Sequence, residues 1–240
     1  VSLGWIAGAG VIAVASFVMG LTGFGIALVS MAFLPYLMSP VTAIVILTIY
    51  ALVLSVAIVA QLRRDVKPRT LVDLLVGSVV GTPLGVWGLA ALPTSALNRL
   101  IGLTLVVAVG LEWRRLYPTG LGGRAWGFAA GVLSGVIGGA VGTPGPPVIL
   151  YGASQQWSPR TMKANISAFF IVNQGGILAG YWWAGLLSLE VGRLALFYAA
   201  PAVVGYLGGV ALFDRLDAER FRRLVFALIL VSGLVLLVRG

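Results

Sequence analysis

In this chain of 240 residues, the stretch Gly138–Pro147, reading GGAVGTPGPP, and the polar side chains Asn165, Asn173 and Gln174 beyond it are equipped to bind something. Pro144, Pro146 and Pro147 lack backbone donors and disfavour helix in the residues before them, so no regular helix runs straight through. A helix that restarts after such a break aims unpaired N–H groups, and about half a positive charge, into the gap. Glycine lets a ligand approach that backbone closely. The chemistry on offer is the binding of a small anion, with the N–H groups of Gly142, Thr143 and Gly145 as donors and the Thr143 hydroxyl beside them. Asn165 and Asn173 are eight residues apart, which puts them within about 80° of each other on a helix. A carboxamide among apolar neighbours needs a partner, so Asn165, Ser167, Asn173 and Gln174 must face the protein interior. They serve there either as ligands or as hydrogen-bonding glue between helices. A simple kink between two spans is the plainer reading of the break itself.

The elements that must position these residues are membrane helices. Hydrophobic residues make up 60% of the chain and charged residues 10%, with a mean hydropathy of +1.05. Soluble proteins carry about 25% charged residues, so this composition belongs in a bilayer. At about 20 apolar residues per span, the length suits eight to ten spans. The net charge of +9 does not point to nucleic acid. Basic residues cluster at the ends of apolar runs rather than in a patch interleaved with aromatics. Thirteen of the sixteen fall in the loops around 63–69, 113–124, 155–163 and 214–223. Placing these loops in the cytoplasm leaves the nearly uncharged loops around 38–40, 93–98 and 184–190 outside, with both termini facing outward. Trp157, Trp182 and Trp183 read as interfacial anchors.

The two halves repeat each other. Gly20, Gly23, Ser39, Pro40 and Thr42 recur as Gly139, Gly142, Ser158, Pro159 and Thr161 at an offset of 119. Gly81, Gly85 and Arg99 recur as Gly205, Gly209 and Arg223 at an offset of 124. Corresponding loops fall on opposite sides of the membrane, which five segments per half would produce. The expected fold is an all-α integral membrane protein of two inverted-topology repeats of about five helical segments. Each half opens with a glycine/proline-broken helix or a re-entrant hairpin. The first repeat covers 1–112, a cytoplasmic linker 113–124, and the second repeat 125–240. Paired interruptions in inverted repeats mark a secondary transporter with its site near the midplane. The partner of the second break is GLTGFG, Gly20–Gly25, whose Thr22 and Gly23 join the candidate site.

At GLTGFG and GGAVGTPGPPVILY, each opening one of two related halves, the chain resembles the TauE/SafE family of bacterial membrane proteins, which export sulfite and organosulfonates. The likeness covers essentially the whole chain. It implies export of a small sulfur-containing anion such as sulfite or sulfoacetate through the cytoplasmic membrane.

The residues themselves leave other anions and an anion channel open. They speak against other classes. Asp65, Asp73, Glu112, Glu190, Asp214, Asp217 and Glu219 all lie in loops or near span ends, so the mid-membrane acids of cation sites and proton relays are missing. Without histidine or cysteine, the sequence lacks the commonest metal ligand, a thiolate and a nucleophile–base pair, so neither an enzyme nor a cofactor is expected. The partners expected are a small anion and the lipid bilayer, with no nucleic acid. Gly81–Gly85, Gly131–Gly135 and Gly205–Gly209 have the spacing of close helix packing, within one chain or at a homodimer seam.

Overall fold

The computed structural model describes residues 3–113, 123–155, 157–212 and 218–239. Residues 114–122, most of the expected linker, lie outside them. The described residues are helical and contain no strand. In chain order the helices are α1 (Leu3–Thr22), α2 (Ile26–Phe33), α3 (Pro40–Leu62), α4 (Val72–Ala91), α5 (Thr94–Trp113) and α6 (Gly123–Val141). They continue with α7 (Gly145–Ser154), α8 (Pro159–Trp183), α9 (Leu189–Phe197), α10 (Ala199–Leu212) and α11 (Ala218–Arg239). Five stretches are long and apolar enough to cross a membrane: Gly4–Thr22, Pro40–Asp65, Pro68–Ala91, Thr94–Leu111 and Gly123–Val141. A sixth forms if α9 and α10, bent by 44°, are taken together. The bend has a local cause, because Pro201 would clash with the carbonyl four residues back, at Phe197, where α9 ends. The protein is a multi-pass membrane protein. Its outer surface fits that solvent, with Val76, Val79, Val80, Leu84 and Trp87 exposed along α4.

Several local features recur at one spacing. The end of α1 and the end of α6, the starts of α2 and α7, and the starts of α3 and α8 are all 119 residues apart. Both leading helices stop in the same way. Gly23 N–H donates to Met19 O at 2.8 Å, and Gly142 N–H donates to Gly138 O at 2.9 Å. Gly23 and Gly142 have φ of 84° and 72°, the left-handed conformation that ends a helix and that glycine adopts without strain. The next helices begin alike too. The hydroxyl of Ser39 accepts from Thr42 N–H at 3.1 Å, and that of Ser158 accepts from Thr161 N–H at 3.2 Å, with Pro40 and Pro159 at the first helical position. Ser39→Ala and Ser158→Ala are each expected to cost about 1 kcal/mol. Thermal unfolding in detergent would read this as a lowered midpoint, and the two losses should add because the caps share no partner.

Packing crosses between the halves. α4 lies along α6, α1 along α10, α3 along α8 and α5 along α11. The α4–α6 seam is made of glycine. Gly77, Gly81 and Gly85 face the backbone of Phe128, Val132 and Val136, while Gly131, Gly135 and Gly139 face that of Leu74, Ser78 and Gly85. Gly205 and Gly209 of α10 similarly meet the backbone of Ala13 and Phe17 on α1. The spaced glycines are therefore used within one chain.

Each leading helix turns back on itself. Tyr151 of α7 lies against Gly127 of α6, and Ser134 Oγ donates to Pro144 O at 2.5 Å, so α6 and α7 form an antiparallel hairpin. α3 and α8 are antiparallel along their length. Arg160, at the start of α8, pairs with Asp65 beyond the end of α3 at 2.8 Å, while Tyr181 near the end of α8 neighbours Thr48 near the start of α3.

Candidate anion site

The second break spans Gly142–Pro144, between α6 and α7. Its side chains are buried, yet their polar atoms have no protein partner. Thr143 is 1% exposed with its Oγ1 unpartnered, and Asn173 is 2% exposed with both Oδ1 and Nδ2 unpartnered. Asn173 lies close to the break that holds Thr143. A side chain at Gly138 would meet Pro144 Cβ at 2.9 Å, Ile177 at 3.0 Å and Asn173 Oδ1 at 3.4 Å. Asn173 thus reaches the end of α6 where the chain turns through Thr143 and Pro144. Gly145 is at N1 of α7, where a helix has no internal partner for its N–H, and it lies near the ring of Phe170. Leaving a buried carboxamide or hydroxyl unpaired costs about 1–3 kcal/mol per group. A bound water or a ligand that supplies the missing partners would remove that cost.

The structure separates some residues that the sequence grouped. Gly142 does not offer its N–H as a donor, because that group is taken by Gly138 O. Its role at the break is conformational, and it packs against Ile44 and Leu47 of α3. Gln174, next to Asn173 on α8, is buried with Oε1 unpartnered. Asn165 lies eight residues before Asn173, or roughly 12 Å along the helix. Its Oδ1 accepts from Lys67 N–H at 2.7 Å, which fastens the loop after α3 to the foot of α8. Thr22 and Gly23 are at the first break, close to Lys163 rather than to Asn173. The Thr22 hydroxyl serves its own helix end, with Val18 O at 3.0 Å, Phe24 O at 2.5 Å and Phe24 N–H at 3.3 Å. Asn173 therefore lies at the second break, beside Gly138 and near Pro144, which Thr143 and Gly145 flank in sequence; Gln174 follows it on α8, and Lys163 lies at the first break.

Two contributors were not legible as site residues in the sequence. Tyr181, fully buried, donates to Gly139 O at 2.7 Å and so caps the end of α6 just before the break. Ser134 holds the Pro144 carbonyl as described above. A lone tyrosine or serine in an apolar run carries no signal of such a role. Among the described side chains, acids stay at the periphery: Asp65 pairs with Arg160, Asp73 with Arg124 at 3.2 Å, and Glu190 is in the first turn of α9. Glu112, Asp214, Asp217 and Glu219 lie outside the described side chains. No group of acidic residues able to hold a metal ion occurs among the described residues.

Comparison with known proteins gives the site its family. No curated protein and no solved structure matches the chain. A family described as sulfite exporter TauE/SafE matches residues 8–236, nearly the whole length. This family consists of transporters rather than enzymes, and the match takes in both breaks and every helix that frames them. The chain belongs to the sulfite exporter TauE/SafE family.

Proposed function

We propose that the protein is a secondary carrier that exports sulfite or a small organosulfonate such as sulfoacetate across a bacterial cytoplasmic membrane. The anion binds at the second break. The observation that carries this reading is the pair Thr143 and Asn173, buried at a helix break with no protein partner for their polar atoms. Thr143 Oγ1, Gly145 N–H and Asn173 Nδ2 are donors for an oxyanion, and the positive end of α7 adds to them. Pro146 and Pro147 remove two further N–H groups, so side chains must complete the shell. Asn173 lies a little past the middle of α8, which supports a site near the midplane of the membrane.

The alternating-access frame follows from the halves, 1–112 and 125–240. Exchange of α1 for α6 and α10 for α4 across the packing pattern fits two inverted repeats around a central site. In that frame the basic loops face the cytoplasm and both termini face outward. The membrane potential, about 2.3 kcal/mol per charge per 100 mV, drives a net anion outward without a coupling ion. Purified protein in liposomes, with imposed potential and a panel of sulfite, sulfoacetate, sulfate and chloride, tests the proposal. Saturable sulfite or sulfonate flux that grows with an inside-negative potential is the expected result. Unitary currents in planar bilayers would replace the carrier with a channel, and flux of none of the panel would overturn the assignment.

A further inference from the structure

The chain between α3 and α4, residues 63–71, runs as a strap across the ends of helices from the second half. Arg160, at the start of α8, pairs with Asp65 at 2.8 Å, and Asn165 further along α8 accepts the Lys67 N–H at 2.7 Å. Tyr151, near the end of α7, donates its hydroxyl to Thr70 O at 2.8 Å. The strap is itself a tight turn, since the Thr70 N–H and hydroxyl both donate to Lys67 O, at 3.1 and 2.8 Å. Leu71, 2% exposed, joins the apolar cluster of Ala130, Val148, Ile149, Phe169 and Phe170 from α6, α7 and α8. A side chain at Gly145 would lie 3.8 Å from Ile149 and from Phe170. One cluster therefore extends from Leu71 to the residues beside the second break, and an apolar cluster offers a hydrated anion no passage.

The loop in the matching place of the other half, 184–188 between α8 and α9, is held differently. Its described hydrogen bonds run to the end of α8, within the loop, or to the start of α9. The strap is tied across the halves, and its counterpart to its own neighbours.

We propose, resting on the carrier reading above, that the strap 63–71 is the cytoplasmic gate of the carrier, closed in this structure, with Leu71 as its plug. Loading lifts the strap off α7 and α8, withdraws Leu71 from the cluster and admits water and the anion to the break. The ties suit a part that must let go. An ion pair at the surface contributes little net stability, and the Arg160 side chain is 68% exposed. Closure then shuts water away from the bound anion, as a lid does. The glycine seam between α4 and α6 stays packed, because the motion is confined to the strap.

The chain contains no cysteine, so one introduced thiol reports accessibility without background. Ile149→Cys places it in the cluster between Leu71 and Gly145, at a residue 8% exposed. A membrane-impermeant maleimide applied to the cytoplasmic face of inverted vesicles is expected to label it at least tenfold faster once Leu71→Ala is added. In a separate protein, Asp65→Cys and Arg160→Cys bridged by a short bis-maleimide hold the strap down. Sulfite flux in liposomes should then fall at least tenfold, and sulfite affinity in detergent should stay within about threefold. The same variant capped with a monofunctional maleimide is the reference for both. Labelling unchanged by Leu71→Ala, or full flux through the bridged protein, would overturn the gate. The bridge uses two surface positions, so it decides the matter even if Leu71→Ala fails to fold. If the unbridged protein carries no anion while Leu71→Ala still speeds labelling, the carrier reading fails and the strap stands as a movable cover.

Discussion

Asn173→Leu and Thr143→Val are each expected to weaken sulfite binding at least tenfold and at the same time raise the thermal midpoint of the ligand-free protein. The two effects have one origin. Both native side chains hold polar atoms in a buried place with no protein partner, at 2% and 1% exposure. Each unpaired group costs about 1–3 kcal/mol, and an apolar side chain of nearly the same shape removes that cost without opening a cavity. Stability should therefore increase by about 1 kcal/mol or more per substitution. Binding should move the other way, because the anion loses a hydroxyl donor in one variant and an amide donor in the other. Hydrogen bonds to a charged ligand are worth about 1.5–3 kcal/mol each, so either change alone should weaken binding by at least tenfold. The pair of signs separates a binding site from structural glue. Side chains that tied helices together would lose stability on substitution, and binding would fall only in step with the folded fraction. Isothermal titration with sulfite, set beside thermal unfolding of the same detergent-solubilised samples, reads both quantities. A lowered midpoint with unchanged affinity would remove Thr143 and Asn173 from the site.

The places where this chain breaks were legible because they are properties of the backbone. A proline removes an N–H wherever it stands, and glycine at the end of an apolar run permits the positive φ found at Gly23 and Gly142. The Ser-Pro pairs at 39–40 and 158–159, matched in sequence only as part of the repeat, prove to cap helix starts, a local feature. The burial of Asn165, Asn173 and Gln174 followed from solvation alone. What each of them meets did not. Asn165 finds Lys67, 98 residues away, and Asp65 finds Arg160, 95 residues away, and no local pattern encodes such distances. The grouping of Thr22 and Gly23 with Thr143 rested on the likeness of the two breaks. That likeness makes the breaks alike in sequence and local geometry, and two like places in one chain need not coincide. α8 makes the separation concrete, with Lys163 at one break and Asn173 and Tyr181 at the other.

The other large effect expected concerns the seam that holds the second hairpin. Gly131→Val or Gly135→Val should destabilise the protein by about 3 kcal/mol or more, at the upper end of the usual cost of overpacking. The reason is what the new side chain would strike. At Gly131 it runs into the backbone of Leu74 and Ser78, and at Gly135 into that of Ser78, Gly81 and Thr82. A side chain in the way can change rotamer, but a helix backbone can only move as a whole. α4 and α6 would have to separate, opening the close contact of all six glycines along the seam. Gly10 and Gly110 provide the control, since a side chain at either meets nothing within 4 Å. Gly10→Ala and Gly110→Ala should be neutral, or gain up to about 1 kcal/mol from helix propensity. Fluorescence-detected size exclusion after graded heating compares the variants directly. Equal midpoints for Gly131→Val and Gly10→Ala would mean that the α4–α6 seam does not hold the fold. The seam also connects stability to function. α6 carries the break at its end and α4 belongs to the other half, so a pair of helices forced apart should move Thr143 away from Asn173. Anion affinity in any Gly135 variant that survives purification should fall with the size of the new side chain, although residue 135 touches no ligand. Alanine, serine and valine at that position give the series, and an affinity constant across it would separate the seam from the site.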